Sequence, residues 1–76
     1  MTAELNRLRW RCRRGVLELD IALARFLETE FPRLDARQRE AFERVIEAAD
    51  EDLWRWINGD EYGLNPAWRD IVAALR

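Results

Sequence analysis

Apolar residues recur at three- and four-residue intervals along almost the whole of this chain, with interruptions at Gly15, Pro32, Asn58-Gly59 and Asn65-Pro66. That spacing belongs to amphipathic helices, and nowhere does the sequence alternate as a half-buried strand would. The interruptions leave room only for short segments. A chain so patterned reads as all-α: one small domain over residues 1–76, built as a bundle of five short helices with tight connections.

The expected helices follow from stripe and stop. Leu5, Leu8 and Cys12 share one face of the first, and Gly15 either ends it in a left-handed conformation or, lacking a side chain, lets a partner's backbone come close to the helix junction. The second starts just after Gly15, with Leu17, Ile21, Ala24 and Phe31 at helical spacing and Leu23, Phe26 and Leu27 widening the stripe. Pro32 bars its continuation, because the residue before a proline is pushed away from helix. Asp35 is an N-cap, and Gln38 three residues on completes a capping box. The third helix is expected to bury Phe42, Val45, Ile46 and Ala49. Asp50-Glu51-Asp52 reads as the cap and first turn of a fourth that carries Leu53, Trp54, Trp56 and Ile57 to the stop at Asn58-Gly59. Asn65 caps a last helix with Pro66 at its first position and Trp68, Ile71, Val72 and Leu75 inside.

Composition narrows the chemistry. With 76 residues, 49% of them hydrophobic, the chain has material for one core and little stability to spare. A single cysteine, Cys12, excludes an internal disulfide or a multi-cysteine metal site, and there is no histidine. Every Ser-His or Cys-His arrangement is thereby removed, and the expectation is a protein that is not an enzyme. No stretch approaches the length needed to span a bilayer, so no membrane insertion is expected. Residues 1–14 read as a helix of the mature domain rather than a presequence, and the expected location is the bacterial cytoplasm.

All 13 basic residues are arginine, a rigid five-donor fork that stacks on aromatics. Five of them, Arg7, Arg9, Arg11, Arg13 and Arg14, stand in the first fourteen residues against Glu4 alone; the remainder holds eight against fourteen carboxylates. A partner would meet a basic end on an acidic body. On a helical wheel Trp10 lies well away from Leu5, Leu8 and Cys12, flanked by Arg7, Arg11 and Arg14. An indole outside the buried stripe and ringed by guanidinium groups has the composition of an interface anchor, since Trp and Arg dominate binding hot spots. The alternative is that Trp10 packs under a later helix and the arginines are a solvated face. Glu18 reads either as a first-turn acid favoured by the helix dipole or as a partner of Arg14 across the bend.

Trp10-Arg11-Cys12-Arg13-Arg14-Gly15, followed by Glu18-Leu19-Asp20, resembles the signature of the succinate dehydrogenase flavinylation and assembly factors, the SdhE family. The family's Arg-Gly-x-x-Glu motif falls on Arg14, Gly15 and Glu18, and the likeness runs on through Phe26, Phe42, Asp52-Leu53 and Trp56. What the resemblance implies is a five-helix FAD assembly factor, monomeric when free. It would bind the flavoprotein subunit of succinate dehydrogenase, and in bacteria that of fumarate reductase, and promote covalent attachment of FAD to a histidine there. No cofactor would be held stably by this chain; FAD and the histidine belong to the client. The partner-binding residues expected on this basis are Arg7, Trp10, Arg11, Arg14, Gly15, Glu18 and Asp20. Val16 departs from the methionine expected after the glycine, and both are apolar.

Two other functions compete. The arginine-rich first helix could meet phosphates in a small nucleic-acid-binding module, against which stands the pI near 5.1. An antitoxin role in a toxin–antitoxin pair is the other. On the main reading no nucleic acid is bound.

Overall fold

The structure, a computed structural model, describes residues 2–76 and, apart from Thr2 and Glu4, their side chains. Among the described residues five α-helices follow one another: α1 (Thr2–Arg11), α2 (Leu17–Thr29), α3 (Ala36–Val45), α4 (Asp50–Ile57) and α5 (Arg69–Leu75). Short 3₁₀ turns at Phe31–Arg33 and Pro66–Trp68 precede α3 and α5. The expected all-α bundle is present. α2 packs on α1 and α5, and α3 and α4 close on α5 from the other side.

The core is apolar throughout. Leu8 and Cys12 of the first segment meet Leu19, Leu23, Phe26 and Leu27 of α2, with Phe42, Val45, Leu53, Trp56, Ile71, Val72 and Leu75 completing it. The Phe26 and Phe42 rings stack at 4.6 Å between centroids, and Phe31 leans on Phe42 at 5.9 Å. Asp35 caps α3 as expected: its carboxylate accepts from the Gln38 amide at 2.8 Å, and the Gln38 side chain accepts from the Asp35 amide at 2.9 Å. The Trp56 indole N–H donates to the Tyr62 carbonyl at 2.9 Å, tying down the loop between α4 and the second 3₁₀ turn.

Several local expectations are corrected. In α2 the buried stripe is Leu19, Leu23 and Phe26 with Leu27, whereas Leu17, Ile21 and Ala24 face outward, Leu17 being 73% exposed. Both stripes have the same i, i+4, i+7 spacing, two residues or about 200° apart, and the one that meets Phe42 and α5 turns inward. Phe31 is buried, but in the 3₁₀ turn beyond the end of α2. Ala49 is exposed because it is the extended N-cap of α4 (φ −64°, ψ 152°); Asp50 is the first helical residue and caps nothing. Trp54 is partly exposed, at 39%. Asn65 accepts from the Ala67 amide at 2.9 Å, so it opens the 3₁₀ turn, and α5 starts only at Arg69. α1 stops at Arg11, and Gly15 adopts its positive φ of 77° within the connector to α2, not at the helix end.

Candidate functional site: the junction of α1 and α2

The residues singled out in sequence fall at one end of the bundle and divide into an outward and an inward set. Trp10 is 72% exposed in the last turn of α1, as the wheel requires, with the Arg13 guanidinium 5.2 Å from its ring centroid. Arg7 is exposed on the same helix, and Glu18 is exposed in the first turn of α2. Gly15 lies between them. Nothing stands within 4 Å of where a Cβ would project from it, so the connector presents bare backbone to the outside.

Arg11, Arg14 and Asp20 point the other way. Arg11 donates to the Glu43 carboxylate and carbonyl, both at 3.3 Å, and reaches Glu47 at 3.8 Å. Arg14, with a side chain only 13% exposed, donates to the Ala48 carbonyl at 2.7 Å, to the Asp50 carboxylate at 3.0 Å and to the Ile46 carbonyl. Ile46 is the C-cap of α3. Carbonyls at a helix C-terminus lack intrahelical partners and carry the negative end of the dipole, which a guanidinium satisfies on both counts. The Arg14 amide donates to the Asp20 carboxylate at 2.8 Å. Arg14 and Glu18 are therefore not paired across the bend; the acid that meets the arginine is Asp50, 36 residues along.

Beneath the junction, Cys12 is buried and its thiol is pushed up to about 11, by burial first, with the nearby Arg14 and Arg11 charges opposing and Asp20 assisting. A thiol so held is a poor nucleophile at neutral pH. Among the described residues no group of three or more His, Cys, Asp or Glu side chains is placed to hold a metal, and no helix is long and apolar enough to cross a membrane.

Part of this surface lies outside the partner-binding set expected from sequence. An open groove of about 540 Å³ runs between α1 and α2, lined by Arg9, Arg13, Gly15, Asp20, Ala24 and Glu28 with Cys12 and Leu27 at its floor. A shallower depression of about 260 Å³ beside Trp10 shares Arg9 and Arg13 with it. Arg9 and Arg13 stand four apart, a spacing that puts both on one helix face and could have flagged them. Leu17 and Ile21, expected from their spacing to be buried, instead extend the exposed apolar surface along α2.

Known proteins are similar to this chain over nearly its whole length. A family model described as the flavinator of succinate dehydrogenase matches residues 6–76. A protein of Methylococcus capsulatus named FAD assembly factor SdhE is 39% identical over 74 residues, covering 97% of this chain and 89% of the relative. Proteins of the same name from Coxiella burnetii (43% over 71 residues; 93% and 87% covered) and Xylella fastidiosa (36% over 74; 97% and 76%) are alike to a similar degree.

Proposed function

Because this chain belongs to the family of succinate dehydrogenase flavinators, we propose that it is an FAD assembly factor that docks on the flavoprotein subunit of succinate dehydrogenase and promotes covalent attachment of FAD to it. Fumarate reductase is a second client of the same kind, the FAD stays with the client, and the chain acts in the bacterial cytoplasm as a monomer. The observation that carries the reading is the junction itself. An exposed indole, bare backbone at Gly15 and the exposed Glu18 stand together where the family motif falls.

Docking is assigned to Arg7, Trp10, Gly15 and Glu18, with Leu17 and Ile21 supplying apolar area, while Arg11, Arg14 and Asp20 support that surface from behind. A few residues, tryptophan, tyrosine and arginine foremost, carry most of an interface's energy. The helper then works by position: holding the client's flavin and histidine in one arrangement turns an improbable encounter into an effectively intramolecular one, without a catalytic side chain on this chain. Two of the five N-terminal arginines are tied to the protein's own carbonyls and carboxylates, which leaves the phosphate-binding alternative with a thinner basic stripe. Titrating the purified flavoprotein subunit with this chain tests the reading. Trp10→Ala should weaken binding by roughly tenfold or more, the loss of one hot-spot residue; unchanged affinity in both Trp10→Ala and Gly15→Arg would remove the junction from the interface.

A further inference from the structure

We propose that Arg14, Asp20 and Asp50 form a clamp that sets the geometry of the docking junction, so that Asp50, on a different element from the motif, is a positioning residue for client binding. The inference rests on the docking reading above and concerns how the surface is held.

Two elements grip residue 14. Its guanidinium is anchored on the α3–α4 corner by the Ile46 and Ala48 carbonyls and the Asp50 carboxylate at 3.0 Å. Its amide is anchored on α2 by Asp20 at 2.8 Å. Immediately after it the chain has little else to fix it. Gly15 has open space where a side chain would lie, Val16 is extended and exposed, and α2 begins without a capping side chain. The relative placement of Trp10 on one side and Leu17, Glu18 and Ile21 on the other therefore depends on a residue whose own side chain is nearly out of reach of a partner. The arginine of the motif acts from inside, and the carboxylate that orients its fork lies 36 residues away. Loosening the clamp lets the junction sample arrangements that do not fit the client, and the apparent affinity falls in proportion to the fraction that still fits.

The test uses the whole chain and the purified flavoprotein subunit of succinate dehydrogenase, well below the melting temperature, with circular dichroism confirming the fold of each variant. Asp50→Ala should weaken binding about tenfold, the size of effect expected if only about a tenth of the molecules remain competent. Flavinylation should then need more helper to reach half its maximal rate, with the maximal rate kept, and Asp50→Glu should restore most of the affinity. Asp50→Asn provides the milder change should the alanine variant unfold. The Arg14→Ala, Asp50→Ala double variant should be little worse than Arg14→Ala alone, because coupled residues are not additive. Additive losses, or full affinity in Asp50→Ala and Asp50→Asn beside a loss in Arg14→Ala, would overturn the clamp and make Arg14 a direct contact. Full affinity in Trp10→Ala and Gly15→Arg would overturn the docking reading as well, which separates the two failures.

Discussion

Gly15 and Cys12 occupy adjacent parts of the junction and respond to opposite constraints. Gly15 has space but the wrong backbone for a side chain: at φ 77° an L-residue costs roughly 1–2 kcal/mol. Gly15→Ala should therefore lower stability by about that amount in denaturant titration with helical circular dichroism retained, since a methyl group meets nothing of this chain within 4 Å. Gly15→Arg should show a similar stability loss with helical circular dichroism retained, and no client binding, because a long side chain then stands on the docking surface. Cys12 has the fold but no water. Its folded thiol holds its proton to about 11 whereas the unfolded thiol releases it near its ordinary value of 9.0, so across that interval the native state binds more protons than the unfolded one. Stability should be undiminished below about pH 9 and should fall as pH rises towards 11. Cys12→Ala, compared over the same range, should lose that component, and alkylation of Cys12 at pH 8 should be slow until the protein is unfolded.

The helices show where the sequence was sufficient and where it was not. Asp35 with Gln38 is a purely local device, fully present in four residues, and the structure forms it as written. Asp35→Ala should cost about 1 kcal/mol, read as a lower midpoint in thermal unfolding, with the rest of the bundle unchanged. In α2 the decision was not local. Leu17–Ile21–Ala24 and Leu19–Leu23–Phe26 are equivalent in spacing, and only the partners Phe42, Val72 and Leu75 on later elements select the second. The same distinction runs through the candidate site. The wheel set Trp10 outside the stripe of its own helix but could not decide whether a later helix covers it, and residue type signalled the positive φ of Gly15 but not its place in the connector. The partners of Arg14 were not legible, because Ile46, Ala48 and Asp50 approach it only after α3 and α4 have folded back over α1. Arg9 and Arg13 were counted with the basic end but not among the partner-binding residues, because in a run where every second residue is an arginine nothing local separates the two that line the groove.

At the scale of the whole molecule, the uneven charge along the chain is partly resolved within it. The basic first segment lies against the acidic α3–α4 side through Arg11 with Glu43 and Glu47 and through Arg14 with Asp50. What remains outward is Arg7, Arg9 and Arg13 around an exposed indole, a surface suited to meeting a partner protein. Domains of this size rest on a margin of roughly 4–11 kcal/mol. Leu23→Ala, at a wholly buried position, should remove about 2–5 kcal/mol of it and lower the thermal midpoint sharply. The most direct measurement is covalent flavin on the client. The flavoprotein subunit of succinate dehydrogenase is produced with and without this chain, and in-gel flavin fluorescence is read under denaturing conditions. The expected signal appears with the chain and is lost with Gly15→Arg. Equal fluorescence in both lanes, with the subunit folded, would contradict it.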